Sequence, residues 1–230
     1  MLMNRLETYT VNNPARVLLQ KWLEAPWLAR AGGRLEGGVA LELGCGRGEG
    51  AKIILERFGA GRVVGIDLDP RQIDRARQRL SKVDQTRIEL QVGDAARLEF
   101  PTDRFDAVFD FAILHHVPSW RRALGEIHRV LKPGGRFYFD EVLRRFLETT
   151  LARALFVHPV EGHFTKTEFV EQCDSAGLRV VDTAAVGRYF VIGVAEKERT
   201  MELLQKSGRS TAHHGSGRTR EPGQPEKKVP

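Results

Sequence analysis

The sequence is poor in cysteine and lacks any long apolar run. Its 230 residues include two cysteines, Cys45 and Cys173, so we expect no disulfide framework and no metal site, and a reducing compartment fits. No apolar stretch approaches the roughly 20 residues that a membrane-spanning helix needs. The first residues lack the apolar core of a signal peptide. We therefore expect a cytoplasmic protein without a membrane span.

The excess positive charge lies mainly at the C-terminal end of the chain. The formal net charge is +6, and residues 206–230 hold six basic and two acidic side chains. The remainder is close to balanced, so we expect no broad basic surface for nucleic acid. The last segment is rich in Ser, Gly, Pro and charge, which predicts a disordered basic tail at 206–230. A tail that touches RNA or a membrane is the alternative.

Strand and helix signals alternate from residue 39 onward. Such alternation is typical of right-handed βαβ units and a parallel sheet covered on both faces. The sequence therefore predicts a single-domain α/β fold, a doubly wound, Rossmann-like, seven-stranded and mostly parallel sheet. Apolar and β-branched runs predict the strands at 39–43, 62–68, 87–94, 105–114, 136–142, 178–186 and 188–197. Apolar spacing predicts helices at 50–59, 70–83, 120–135 and 143–157, and another that Thr165 and Glu168 open with a capping box.

The predicted domain organisation has four parts. Residues 1–35 are a helical segment or lid, with a helix over 14–31, and residues 36–197 are the main domain. Within that domain, we interpret residues 143–164 as a wall of the substrate pocket, although core packing is the more ordinary explanation of their apolar stripe. The basic tail at 206–230 follows. The members of the stripe are Leu143, Leu147, Leu151, Ala154 and Leu155.

The stretch LELGCGRGEG places glycines at four alternate positions after the first predicted strand. Ligands of doubly wound sheets bind beyond the carboxyl ends of the strands, so this loop is either a bare turn or a ligand cradle. A dinucleotide fingerprint would need a third glycine where Glu49 stands, and no Gly-Lys-Ser/Thr follows as in a phosphate-binding loop. We expect ligand contact at Gly44, Gly46 and Gly48, and packing at Gly50.

Two carboxylates follow the next two strands. Asp67 ends the second strand, 21 residues after Gly46, where an acidic side chain can accept hydrogen bonds from ribose hydroxyls. Asp94 ends the third strand, where it could accept from an adenine amino group while the Ala95 backbone N–H donates to the ring. Asp94 fits a simple turn equally well. The sequence thus favours a ribonucleoside ligand without a pyrophosphate.

Four segments in this order resemble the successive motifs of class I S-adenosylmethionine-dependent methyltransferases of the small-molecule and quinone-biosynthesis (type 11) subgroup. They are ALELGCGRGEGAK, VVGIDLDP, GDAARLEFPTDRFDAVFDFAILHHV and EIHRVLKPGGRFYF, within residues 36–197. The resemblance implies S-adenosyl-L-methionine as cofactor and S-adenosyl-L-homocysteine as product. It also implies contacts to the methionine and ribose, to the ribose and adenine, and to the transferring methyl. By this resemblance, the methionine and ribose would contact Glu42, Gly44, Cys45, Gly46 and Gly48. The ribose and adenine would contact Asp67, Leu68, Asp94 and Ala95. The transferring methyl would lie near Asp110, Phe111 and Ala112.

Histidines are the candidate bases if the acceptor must lose a proton. Methyl transfer from a sulfonium is a direct displacement that depends chiefly on alignment, so a base is needed only for some acceptors. His115, just past the fourth strand, is the candidate catalytic residue, and His116 is the weaker choice. Either could instead cap the following helix. His158 and His163 could face the acceptor from the lid side or could be ordinary surface residues.

The leading hypothesis is an enzyme that transfers a methyl group to O, C or N of a small molecule, and its narrower version is an aromatic or quinone-like acceptor. The alternatives are a non-catalytic S-adenosylmethionine-binding sensor or partner subunit of this fold, and a methyltransferase for RNA or protein. Glu49 disfavours a dehydrogenase. The partner we expect is the small-molecule acceptor, without nucleic acid, and a homodimer stays open.

Overall fold

The computed structural model describes residues 13–150 and 163–199, and these contain one seven-stranded sheet. Its order is β3-β2-β1-β4-β5-β7-β6. Strands β1 to β5 run parallel to one another, and β7 runs antiparallel to both β5 and β6. The predicted α/β doubly wound, mostly parallel sheet is therefore confirmed. The strands are β1 Val39–Leu43, β2 Arg62–Asp67, β3 Ile88–Val92, β4 Phe105–Phe111, β5 Leu131–Val142, β6 Leu178–Val186 and β7 Phe190–Lys197.

Helices connect the strands and precede the first one. Two of them continue into π-helical turns, and two connections contain a short 3₁₀ turn. The α-helices are α1 Pro14–Leu19, α2 Ala25–Gly32, α3 Glu49–Ile53, α4 Pro70–Arg79, α5 Trp120–Val130, α6 Arg144–Leu147 and α7 Lys166–Ser175. The π-helical turns are Gln20–Glu24, between α1 and α2, and Ile54–Phe58, after α3; the 3₁₀ turns are Gln85–Arg87 and Leu114–His116.

Side-chain caps explain where two helices begin. The carboxylate of Asp69 accepts the backbone N–H of Arg71 at 3.0 Å, which caps α4 ahead of Pro70. Thr165 and Glu168 form the predicted capping box of α7, because each side chain accepts the backbone N–H of the other residue. Such reciprocal bonds satisfy N–H groups that the first turn leaves without partners.

Two predicted helices differ from the observed ones. The helix predicted over 120–135 ends at Val130, because Leu131 already pairs with Phe105 of β4. Residues 132–135 then bulge out of the strand pairing before it resumes. Of the helix predicted over 143–157, the short α6 is what the described residues contain.

The sheet buries a hydrophobic core on each face. On one face, α5 and α7 pack against β4 and β5 through Trp120, Phe139 and Phe169. On the other face, the N-terminal helices and α3 cover Phe109 and Tyr138. The Tyr138 hydroxyl donates to the carbonyl of Gly32 at 2.9 Å, which fastens the end of α2 to β5. The N-terminal helical segment is thus packed on the sheet.

Some predictions fall outside the described residues. These are the predictions for residues 1–12, for His158, for Leu151, Ala154 and Leu155, and for the tail at 206–230. Within 13–150 and 163–199, none of the helices has the length and apolarity to cross a membrane, and no three His, Cys, Asp or Glu side chains are grouped to hold a metal ion.

Candidate functional site

The glycine loop connects β1 to α3 through three residues with left-handed backbone angles. The φ angles are 61° at Gly44, 50° at Gly46 and 85° at Gly48. A Cβ at Gly44 would lie 2.5 Å from Cγ1 of Ile113, so a side chain there has no room. At Gly46 no atom lies within 4 Å of a Cβ position. The loop therefore leaves open space directly beside the Gly46 backbone.

Asp67 ties the glycine loop to the end of β2. Its Oδ2 accepts the backbone N–H of Gly46 at 2.9 Å, and its Oδ1 accepts that of Asp69 at 2.9 Å. Burial raises the pKa of Asp67, and the two backbone hydrogen bonds oppose that rise. Each carboxylate oxygen has a second lone pair. Asp67 can thus accept further hydrogen bonds while holding the loop.

A cleft of about 150 Å³ opens where β1, β2 and β3 end, and the segment after β4 forms its opposite wall. Six of the residues predicted from sequence line it, namely Gly44, Asp67, Leu68, Asp94, Ala95 and His116. Sequence reasoning missed eight others, namely Ile66, Asp69, Gln72, Gly93, Ile113, Val117, Pro118 and Ser119. Position after a strand could have indicated Asp69 and Gly93. No local signal marks the rest, because the fold brings them there.

Leu68 and Asp94 present different surfaces to this cleft. The side chain of Leu68 is 47% exposed, which is unusual for leucine directly after a buried strand and offers an apolar surface. Asp94 accepts the backbone N–H of Ala96 at 2.8 Å through Oδ1, so the turn role considered from sequence is present. That hydrogen bond occupies one oxygen and leaves the carboxylate able to accept another bond.

Glu42 and Cys45 lie beneath the glycine loop and do not line the cleft. Glu42 is buried in β1, and burial, followed by the charge of Asp67, raises its pKa well above the ordinary value. The backbone N–H of Ala51 donates to its carboxyl group, while Oε2 has no hydrogen-bond partner among the described residues. A Cβ at Gly50 would collide with this carboxyl group, which agrees with a packing role for Gly50. Burial also raises the pKa of the Cys45 thiol.

Asp110, Glu141 and His115 are buried together under the segment that follows β4. Oδ1 of Asp110 accepts the N–H of Ile113 at 3.0 Å, and Oε1 of Glu141 accepts that of Leu114 at 2.6 Å. His115 Nδ1 lies 2.7 Å from Oε2 of Glu141. Ala112 has a φ of 61°, a strained value for a residue other than glycine. These three side chains hold that strained segment in place.

Burial sets the protonation of this buried group. It raises the pKa of Glu141 to about 8, and together with the charge of Glu141 it raises that of Asp110 well above its usual range. It lowers the pKa of His115 to about 3, with a smaller contribution from His163. A neutral imidazole beside a protonated carboxyl group is therefore the favoured state near neutral pH.

The histidines predicted from sequence have different places. His115 is directed at Glu141 and does not line the cleft, so the structure gives it a positioning role for residues 112–116. His116 does line the cleft. His163 is partly buried, and burial lowers its pKa. The ring of Phe111 lies against Phe109 on the sheet face that the N-terminal helices cover, and neither Asp110 nor Phe111 lines the cleft.

A second cavity of about 530 Å³ lies under the N-terminal helices, and we call it the helix-covered pocket. Most of its lining is apolar, and three charged side chains stand together in one part of its wall. The lining residues are Arg16, Leu19, Leu23, Glu24, Trp27, Ala112, Asp140, Val142, Ala184, Phe190 and Ile192. Ala112 borders this pocket and its neighbour Ile113 borders the cleft, so the two spaces meet at one peptide unit.

The strand order, the glycine loop and carboxylates at two adjacent strand ends define an α/β domain with a cleft suited to a nucleoside. The comparison with known families agrees with the resemblance drawn from sequence. Residues 41–139 match the family described as the methyltransferase domain. This part of the chain is therefore similar to methyltransferase domains.

Two of the relatives that the chain resembles in sequence are named as methyltransferases. The chain is 35% identical over 127 residues to a fatty-acid O-methyltransferase of Mycolicibacterium smegmatis, a match that covers 55% of this chain and 45% of that protein. It is 36% identical over 115 residues to the 27-O-demethylrifamycin SV methyltransferase of Amycolatopsis mediterranei, covering 50% of this chain and 40% of the relative. The chain thus spans less than half the length of either relative.

Among solved structures, the cyclase SpnF shares the fold. Its TM-score is 0.64 at 20% sequence identity, and the superposition covers 76% of this chain and 80% of that one. A likeness at this identity concerns the fold alone. SpnF is a cyclase, so the fold also serves chemistry other than methyl transfer.

Proposed function

We propose that this chain is an S-adenosylmethionine-dependent methyltransferase that transfers a methyl group to a small molecule. The observation that carries the proposal is the hydrogen bond from Gly46 to Asp67, which sets a carboxylate beside open space at the glycine backbone. This arrangement offers room for a ribose and acceptors for its hydroxyls. Glu49, where a dinucleotide fingerprint has glycine, argues against a pyrophosphate ligand.

The residues present fit S-adenosylmethionine in three respects. Oε2 of Glu42, buried beneath the glycine loop, has no hydrogen-bond partner among the described residues, so a ligand ammonium group that reached it through the loop would satisfy it. Asp67 would bind the ribose hydroxyls, and Leu68 would lie against the adenine. Asp94 and the backbone of Ala95 would hold the adenine edge. The loop glycines Gly44, Gly46 and Gly48 would allow the backbone to approach the ligand.

When bound, this cofactor supplies a methyl group on a positively charged sulfur. The protein's own contribution is to position the acceptor and exclude water, because an activated methyl group needs chiefly alignment. Asp110, Glu141 and His115 fix residues 112–116, and this segment borders both the cleft and the helix-covered pocket. A base role for His115 stays a prediction, and His116 is the histidine that lines the cleft.

The named relatives support a small-molecule acceptor, since one is named for a fatty acid and another for a rifamycin. We infer an acceptor atom of O, C or N in an apolar molecule of aromatic or quinone-like kind. We assign the activity to residues 36–197, with residues 1–35 as a lid. Cys45 and Cys173 are both free and buried, which supports a location in the reducing cytoplasm.

Binding measurements test the proposal. We expect calorimetry to detect S-adenosylmethionine and S-adenosylhomocysteine, and no comparable binding of a nicotinamide dinucleotide. Asp67→Ala should weaken S-adenosylhomocysteine binding by roughly 1.5–3 kcal/mol, since a charged acceptor of ribose hydrogen bonds is lost. Asp74→Ala is the matched control, because Asp74 is an exposed residue of the adjacent α4 and does not line the cleft.

Three outcomes would contradict the proposal in different ways. Binding of the dinucleotide alone would identify another ligand class. Unchanged affinity in folded Asp67→Ala would mean that the ribose lies elsewhere. Cofactor binding without transfer of labelled methyl to any extract fraction would favour the non-catalytic sensor or partner subunit, and label in RNA or protein would favour those acceptors.

A further inference from the structure

The helix-covered pocket has a size and position that the cofactor cleft does not account for. Its volume of about 530 Å³ falls within the roughly 300–1,000 Å³ range of small-molecule sites. Ala112 borders it, while the adjacent Ile113 borders the cleft, so an occupant would lie beside the segment that also borders the cofactor cleft. An occupant of this pocket is thus well placed to receive the methyl group.

The walls of the pocket are suited to an apolar molecule. Leu19 and Leu23 stand four residues apart in the N-terminal helical segment and remain 44% and 65% exposed. Residues four apart lie on one helix face, and both line this pocket. Phe190 and Ile192 of β7 contribute apolar surface from the sheet. Contact with an apolar ligand would remove part of this leucine surface from water.

The polar part of the wall is an ion cluster with more negative than positive charge. Arg16 donates to Glu24 at 2.5 Å and to Asp140 at 2.7 Å. One cation faces two carboxylates, which leaves a formal charge of −1 when both are ionised. Burial, and next the charge of Asp140, raise the pKa of Glu24 to about 7. The cluster therefore resists any further anion and gains from a hydrogen-bond donor.

We propose that the helix-covered pocket binds the methyl acceptor. The cluster of Arg16, Glu24 and Asp140 favours an acceptor whose head group donates a hydrogen bond, as a hydroxyl or an ammonium does, over an acceptor with a carboxylate. The inference rests on the proposed methyltransferase function. The acceptor class is an apolar molecule with such a head. A free fatty acid, the acceptor that one relative's name indicates, does not fit this cluster.

A purely structural role is the competing explanation. Arg16 joins the N-terminal helix to β5 through Asp140, and such a clamp would need no ligand. A clamp predicts no binding of apolar molecules and no preference among head groups. The two explanations therefore differ in binding measurements that involve no turnover.

Three probes with one apolar body and different heads test the selection, namely para-butylphenol, para-butylbenzylamine and para-butylbenzoate. Each is titrated by calorimetry into the full chain at about pH 8, above the pKa of Glu24, with S-adenosylhomocysteine present. We expect the phenol or the amine to bind about tenfold more tightly than the benzoate. The tighter of those two identifies the head as hydroxyl or ammonium.

Leu23→Glu and Leu18→Glu form a matched pair for the location. Both residues are exposed leucines of the N-terminal helical segment, and Leu23 lines the pocket whereas Leu18 does not. Leu23→Glu should weaken binding of the preferred probe about tenfold, because it sets a charge in the apolar wall. Leu18→Glu should leave that affinity unchanged.

Glu24→Gln tests the charge cluster while Arg16 keeps Asp140 as its partner. Removing one negative charge should reduce, several-fold, the ratio between the affinities for the preferred probe and for the benzoate. If circular dichroism shows that Glu24→Gln is unfolded, Asp140→Asn serves the same purpose. Equal affinity for the three probes, tighter binding of benzoate, or equal effects of Leu23→Glu and Leu18→Glu would overturn the inference. S-adenosylhomocysteine titrated alone reports separately on the proposed function.

Discussion

At the scale of single residues, two glycines of the same loop meet different demands. Gly44 lacks a side chain because Ile113 occupies the space that a Cβ would need. Gly46 has a comparable left-handed φ, and the space beside it is open. Packing therefore explains Gly44. At Gly46, the left-handed backbone explains part of the requirement for glycine. The open space beside it is explained by the close approach of a ligand.

Gly46→Ala tests this distinction, with Gly187→Ala as its matched control. Both glycines have positive φ, 50° and 63°, and neither has an atom within 4 Å of the Cβ position. Each change should lower the free energy of unfolding by about 1–2 kcal/mol, measured by urea denaturation, because alanine is strained in this conformation. Gly46→Ala alone should weaken S-adenosylhomocysteine binding, by about tenfold or more. Similar affinities in the two variants would reduce the glycine loop to a bare turn.

The sequence indicated some of the site residues and not others, for a physical reason. Asp67 and Asp94 could be predicted because each follows a strand whose own apolar pattern marks its end. Glu141 could not, because its contact with His115 depends on β5 lying next to β4 in a particular register. The position of His115 after β4 makes it a candidate base in the sequence. In the structure, the same position directs its ring at the buried carboxyl group of Glu141.

At the scale of secondary structure, element types could be predicted more readily than element ends. Strands β1, β2 and β4 are short apolar runs, and their type follows from local composition. The start of β5 at Leu131 could not be predicted, because Pro133 and the two glycines after it are typical of a loop. That they form a bulge within a strand follows only from the pairing of β5 with β4. Pairing partners lie far apart in sequence, so local pattern does not contain them. The capping box of α7 involves neighbours only and was predicted correctly.

Thr165→Ala measures what that capping box contributes. Removing the side chain leaves the N–H of Glu168 without its acceptor, which should lower the free energy of unfolding by about 1 kcal/mol. Thr167→Ala is the control, because Thr167 is an exposed threonine of the same first turn without a capping bond. Its effect should stay within about 0.5 kcal/mol. If urea denaturation showed the same loss of unfolding free energy in both variants, the loss would come from replacing a threonine at any position of this turn and not from the capping box.

At the scale of the whole molecule, ionisable groups are buried on both faces of the sheet where β4 and β5 end. Asp110, Glu141 and His115 occupy one face, and Arg16 and Glu24 meet Asp140 on the other. Residues 112–113 lie between them and border both the cleft and the helix-covered pocket. Burial of these groups costs stability, which a fold selected for stability alone would avoid. Their position between the two cavities connects this cost to ligand binding.

The same buried groups should make stability fall as pH rises above neutrality. The folded-state pKa of Glu141 is about 8, against 4.5 when unfolded, so folding favours its protonated form and that stability is lost as pH rises toward 8. Glu24, at about 7, acts in the same direction. His115, lowered to about 3, acts oppositely, but only between its folded pKa and its unfolded value of 6.5.

Glu141→Gln should therefore flatten the pH dependence of stability without abolishing it. In the wild-type chain, Glu141 should lower the free energy of unfolding by about 1 kcal/mol per pH unit between about pH 6.5 and 8. Glutamine cannot ionise and can still donate to His115, so that part of the slope should disappear while the part due to Glu24 stays. Urea denaturation across this range measures the slope, and Glu99→Gln, at an exposed residue, should leave it as in the wild type. An unchanged slope in Glu141→Gln would mean that Glu141 is already ionised in the folded protein, paired with a protonated His115.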